Sequence, residues 1–68
     1  MRLKIEIEQE DDGRWIAEVP ELPGVMNYGK TREEAITHVE AMALRAMADR
    51  LENAEAVPAV VEAFLVAA

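Results

Sequence analysis

Apolar and charged residues alternate from the second position of the chain. Leu3, Ile5 and Ile7 fall on one side and Arg2, Lys4, Glu6 and Glu8 on the other, the period-two pattern of a half-buried strand. Glu10, Asp11, Asp12 and Gly13 interrupt it. Asp-Gly between two alternating runs signals a hairpin, because both residues tolerate positive φ. Trp15, Ala17 and Val19 resume the alternation, opposed by Arg14, Ile16 and Glu18, and predict a second strand antiparallel to the first. Pro20 closes it, since proline has no N–H to give to a ladder.

Pro20-Glu21-Leu22-Pro23-Gly24 is too rigid and too turn-prone for a helix or a central strand. It is expected to form a fixed connection with Leu22 as an apolar plug. Gly24 is expected to supply a backbone angle closed to other residues; at positive φ, Gly24→Val is strained and lowers the melting temperature. Val25 to Tyr28 predicts a short third strand, with Gly29 and Lys30 leading out of it. Thr31-Arg32-Glu33-Glu34 spells a capping box: the Thr31 hydroxyl accepts from the Glu34 backbone, and the Glu34 carboxylate reaches back to Thr31. Both glutamates also suit the positive end of a helix dipole. The alanine-rich stretch that follows predicts a helix from Arg32 to Glu52, stopped by Asn53. Pro58 marks the end of a linker, and Ala59 to Val66, apolar except for Glu62, predicts a final strand. The expected fold is therefore α+β, a single domain over residues 1–68: a small antiparallel sheet with one long helix packed on one face, in the order β-β-β-α-β.

Two of these elements carry more apolar surface than such a domain buries by itself. On the helix wheel Ala35, Val39, Met42 and Ala46 lie together, with Ile36, Ala43 and Met47 beside them and Leu44 and Leu51 widening the arc. That sector exceeds the ~100° stripe of a single sheet contact. The helix would also run about 30 Å, against ~17–20 Å for typical strands, so its second half overhangs. The last strand is apolar on both faces, which calls for cover on both. A homodimer or tetramer supplies that cover, with Met42, Met47, Leu51, Val61, Phe64 and Leu65 as interface candidates. The competing reading folds the last strand and its linker back over the helix end. Trp15 is expected in the core beneath the helix. Trp15, Gly24, Thr31 and Glu34 thus have structural roles, whereas Leu22, Pro23 and Tyr28, around the rigid loop, are candidates for contact with a partner.

Size and charge sharpen this picture. A chain of 68 residues buries only about 60% of its unfolded surface, and domains this small usually draw stability from disulfides, a metal or a partner subunit. There is no cysteine and one histidine, His38, which excludes disulfides and any Cys-rich or multi-histidine metal site. Serine is also absent, so the familiar Ser-His and Cys-His nucleophile pairs cannot be built. Asp11 and Asp12 are the obvious candidate magnesium ligands for a metal-dependent ribonuclease. Two acids in a hairpin turn are better read as solvated turn residues. His38 falls on the polar side of the helix wheel and is read as a surface residue. No cofactor, metal site or catalytic group is expected.

The formal charge is −7, from 14 acids and 7 bases without a basic cluster. Such a surface repels phosphate and attracts a basic protein, raising association rates and selecting partners. No run approaches the roughly 20 apolar residues of a membrane span, and the alternating N-terminus does not read as a signal peptide. With the lack of cysteine, a cytoplasmic location is expected.

The segment Gly13-Arg14-Trp15-Ile16-Ala17-Glu18-Val19-Pro20-Glu21-Leu22-Pro23-Gly24-Val25, followed by Tyr28-Gly29-Lys30-Thr31-Arg32-Glu33-Glu34-Ala35, resembles the N-terminal domain of HicB antitoxins. The resemblance rests on an aromatic before a short strand, then Pro-x-Leu-Pro-Gly, then a glycine and Thr-x-x-Glu-Ala opening a helix, and it runs from about Leu3 to Leu51. It implies a small antiparallel sheet crossed by one helix. It implies a protein that binds and neutralises HicA, a small basic toxin of double-stranded-RNA-binding fold that cleaves messenger RNA. Complete antitoxins add a DNA-binding domain; with the sequence closing at Ala68, direct operator binding is expected to be absent. A solitary homo-oligomeric form of the domain, without a toxin partner, is the neighbouring expectation.

Overall fold

The computed structural model describes residues 2–55 together with Val57, Phe64 and Ala67. Three strands, β1 (Glu6–Gln9), β2 (Trp15–Glu18) and β3 (Met26–Gly29), precede one helix, α1 (Arg32–Glu52). The strands form an antiparallel sheet in the order β1-β2-β3. The helix crosses one face, lying over β3 and β2 and touching β1 least. The fold is α+β, as the alternation and the capping box predict. The final strand predicted over Ala59 to Val66 lies outside the described residues, apart from Phe64.

The hairpin differs from expectation in one detail. Gly13 alone takes positive φ, at 92°. Glu10 N donates to Arg14 O at 2.7 Å and Gly13 N to Glu10 O at 2.9 Å. This is a three-residue loop in which a turn is closed by a left-handed glycine, so Asp12 needs no unusual backbone. β1 is also shorter than the alternation suggests. Continuing the register of Glu6 with Glu18 sets Lys4 opposite Pro20, which has no N–H to give. The Glu21 carboxylate takes the Lys4 N–H instead, at 3.2 Å.

Leu22 is the plug expected of it: Leu22 N donates to Val19 O, and Val25 N to Leu22 O, each at 3.0 Å. Gly24 sits at φ +86° with open space where a Cβ would project, so its requirement is conformational. Gly29 is the reverse case. Its φ is ordinary, but a Cβ there would lie 2.8 Å from both Ala35 Cα and Glu34 C, with only backbone to give way. The missing side chain lets the end of β3 abut the first turn of α1.

Thr31 caps that helix from an extended conformation, and its hydroxyl accepts from Glu34 N at 3.1 Å. The reciprocal bond departs from the expected box: the Glu34 carboxylate accepts from Lys30 N at 3.3 Å rather than from Thr31. At the other end Asn53 is the C-cap, and Ala54 follows at φ 59°. Ala54 N donates to Leu51 O at 3.1 Å and Glu55 N to Arg50 O at 2.8 Å, the paired bonds of a Schellman motif with alanine where glycine is usual.

The core lies between helix and sheet. Ala35, Val39, Ala43 and Met47, four apart along α1, bury against Ala17, Val19, Leu22 and Val25. Leu3, Ile5, Ile7 and Trp15 are partly buried around this cluster. Val57, beyond the helix, belongs to it too; the last strand of the fold-back reading lies outside the described residues, apart from Phe64. Met47 is only 4% exposed.

Candidate functional site

The face of the sheet opposite the helix has no cover among the described residues. The register sets its rows: Glu6 opposite Glu18 opposite Met26, and Glu8 opposite Ile16 opposite Tyr28. Met26 and Tyr28 are exposed and Ile16 is half-buried, so apolar side chains hold the middle and the β3 side. Acids hold the β1 side. Glu6, Glu8, Glu10 and Glu18 surround a groove of about 440 Å³ floored by Ile16. Glu6 directly opposite Glu18 is a like-charge cross-strand pair, an arrangement that destabilises a sheet. Lys4 Nζ approaches Glu6 at 3.8 Å, with both side chains largely exposed, so it relieves little of that repulsion. A local conflict of this kind on an uncovered face marks a surface shaped by something other than folding.

Tyr28 closes the opposite side of the face. The Arg14 guanidinium lies 4.6 Å from its ring centroid, within cation–π range. Its backbone is held as well: Tyr28 N donates to Asn27 Oδ1 at 2.8 Å. The carbonyl, which can only accept, takes the Nδ1–H of His38 at 2.7 Å. His38 is exposed on the helix as its wheel position suggests, and its contact with β3 ties helix to sheet.

The residues singled out in sequence separate into three groups. Tyr28 and Pro23 are exposed; Leu22 is buried in the core, where the turn bonds of its own loop hold it, and its side chain is not at the surface. Of the oligomer candidates, Met42 is half-buried, Leu51 is exposed, and Met47 belongs to the core. Phe64 is 75% exposed; Val61 and Leu65 lie outside the described residues. Trp15 packs partly buried against the core, and Gly24, Thr31 and Glu34 occupy the turn and cap positions given above. Leu44, 63% exposed, is a larger apolar surface than any interface candidate on the helix. Gly29, Asn27 and the pairing of Glu6 with Glu18 emerge only from the structure. Only Gly29 has a local signal, a glycine between a strand and an N-cap.

Asp11 and Asp12 sit at the tip of the hairpin. Both Asp12 oxygens are engaged by Arg14: Oδ1 accepts from its backbone N–H at 3.0 Å and Oδ2 from Nε at 2.8 Å. The backbone bond, then the side-chain bond, hold the Asp12 carboxyl below its usual range. Among the described residues no three His, Cys, Asp or Glu side chains are grouped to hold a metal. No described helix is long and apolar enough to cross a membrane.

Fold and site define a small α+β domain: a three-stranded antiparallel sheet, a helix on one face, and an acid-rimmed apolar surface on the other. The chain is 34% identical over 53 residues to a UPF0150 protein of Thermoplasma acidophilum, a match covering 78% of this chain and 75% of that relative. It belongs to the UPF0150 family. No family model matches the chain, and no solved structure matches it.

Proposed function

We propose that this protein is a non-catalytic, cytoplasmic protein-binding domain of the HicB antitoxin kind, which binds and neutralises a small basic HicA-like toxin that cleaves messenger RNA. The observation that carries this reading is the open sheet face, where exposed Met26 and Tyr28 and half-buried Ile16 adjoin four glutamates. Interfaces combine an apolar centre with a polar rim, and a rim of one sign steers and selects a partner of the other. The net charge of −7 acts in the same direction at longer range. It also disfavours direct binding to DNA, whose phosphates carry like charge.

The test pairs mass with activity. Light scattering on the chain alone and with a HicA-like toxin reads complex formation, and a messenger RNA cleavage assay reads neutralisation. A stable complex that stops cleavage is expected. A toxin that neither gains mass with the chain nor loses activity rejects the reading.

A second reading has its own support. Leu44, Leu51 and Phe64 are exposed apolar side chains, and covering them in a homodimer or tetramer would give a solitary homo-oligomeric domain. An oligomer in the same light-scattering run that ignores the toxin would favour it. The metal-dependent ribonuclease alternative would show magnesium-dependent cleavage abolished by Asp12→Asn; no cleavage by clean protein would reject it.

A further inference from the structure

The two edges of the sheet are finished differently. Along an antiparallel strand successive residues turn their N–H and C=O groups to opposite sides. Glu10 N bonds across to Arg14 O, and Glu6 and Glu8 share its parity on β1, facing Glu18 and Ile16 of β2. Ile7 and Gln9 therefore turn their backbone groups outward, and among the described residues nothing pairs with them. On β3 the outward groups at Tyr28 are closed by Asn27 and His38, while those at Met26 have no partner among the described residues. Bare edges invite another strand, and side-chain caps block one.

Two grooves lie beside β1, whose outer edge is unpaired among the described residues. On the open face lies the acidic groove of about 440 Å³, with Glu6 and Glu8 on β1 itself and Glu10 just beyond it. On the helix face lies a mainly apolar groove of about 210 Å³, where Leu3, Ile5 and Val19 meet Ala43, Leu44 and Met47, with Glu40 at its margin. It exists because the helix sits toward β3 and leaves β1 thinly covered. A strand added to β1 would send alternate side chains to the two faces. One set would enter the apolar groove and the other would meet the glutamates. A second copy of β1 paired antiparallel there would set glutamate against glutamate, which is unfavourable.

We infer that the outer edge of β1 is a strand-addition site for an extended segment of a partner protein in which apolar residues alternate with lysine or arginine. The inference rests on the proposed protein-binding function and adds the element and the sequence pattern through which the partner is held. Backbone bonds to Ile7 and Gln9 would supply affinity, and the two grooves would supply specificity.

The probe is a fluorescent seven-residue peptide alternating valine with lysine and arginine, titrated by anisotropy into the full chain. A matched peptide with glutamate in place of the basic residues serves as control. The basic peptide is expected to bind and the acidic one to fail. Glu6→Lys combined with Glu8→Lys, both at exposed positions, is expected to weaken binding at least about tenfold with an unchanged circular dichroism spectrum. Leu44→Glu is expected to weaken it through the other groove. Equal binding of both peptides, or of wild type and double variant, overturns the inference. Displacement of the probe by a peptide of residues 59–66 at equal affinity also overturns it, because it assigns the edge to this chain's own C-terminal sequence. Toxin binding untouched by the β1 variants removes the edge and leaves the proposed function standing. Peptide binding at β1 without toxin binding supports the edge and rejects the toxin.

Discussion

The β3 side and the β1 side of this small domain are built to different standards. On the β3 side Gly29 lets helix and strand meet backbone to backbone, His38 ties the helix to Tyr28, and the outward N–H of Tyr28 is satisfied by Asn27. On the β1 side the helix makes its fewest contacts, Leu44 is 63% exposed, and like charges face each other at Glu6 and Glu18. Small domains have little stability to spare, so an unfinished side is informative. The β3 side reads as the scaffold, and the β1 side, as far as the described residues go, as the surface that the proposed partner would complete.

The largest effect expected from breaking the scaffold is at Gly29. Gly29→Ala places a Cβ against the backbone of the first helical turn, which cannot rotate away, and is expected to cost about 3 kcal/mol or more. Thermal unfolding by circular dichroism checks it; a melting temperature within a few degrees of wild type would mean that helix and strand are less closely seated. Gly24→Val comes next, at about 2–3 kcal/mol, through backbone strain alone at φ +86°. Because the space at Gly24 is open, Gly24→Asn should recover much of the loss, since asparagine accepts positive φ. At Gly29 the same residue should recover nothing, and that contrast separates a conformational glycine from a steric one.

Removing the caps at Tyr28 should cost about 1 kcal/mol per lost hydrogen bond. Asn27→Ala and His38→Ala are each expected to lower the melting temperature by several degrees and, combined, to expose the Tyr28 amide to exchange. At the helix C-terminus the expected sign reverses. Ala54 holds a left-handed conformation at φ 59° that glycine adopts without penalty, so Ala54→Gly should stabilise by about 1 kcal/mol. A lower melting temperature would contradict the Schellman geometry.

The smallest effect is at the hairpin tip. The folded pKa of Asp12 is depressed below its ordinary 3.8. Its contribution is therefore present above that value and lost as pH falls through the folded pKa. The melting-temperature gap between wild type and Asp12→Asn should be small at neutral pH and close in acid below the ordinary carboxylate range. A gap that widens in acid would contradict the sign.

What could be read from the sequence follows from how local each signal is. The hairpin, the Leu22 plug, the Thr31 cap and the helix bounds each rest on a few consecutive residues whose conformational preferences are strong. β3 is displaced by one residue from the predicted Val25 to Tyr28, because Val25 is drawn into the turn bonds with Val19 and Leu22. The open face was less legible. That Glu6 faces Glu18 depends on register, which the three-residue loop decides. That His38 closes Tyr28 joins residues ten apart on different elements, and no local pattern announces it. The wide apolar arc of the helix was visible, but it could not say that Met47 would be covered and Leu44 left out. That division follows from where the helix lies across the sheet.

Amide hydrogen exchange followed by NMR on the free chain at low concentration tests the unequal edges most directly. The account predicts slow exchange at Tyr28, whose N–H is bonded, and fast exchange at Ile7 and Gln9, whose N–H groups point outward from β1, with protection appearing at both when the basic alternating peptide is added. Ile7 and Gln9 amides as protected as Tyr28 in the free chain would show that the β1 edge is already occupied, and would contradict it.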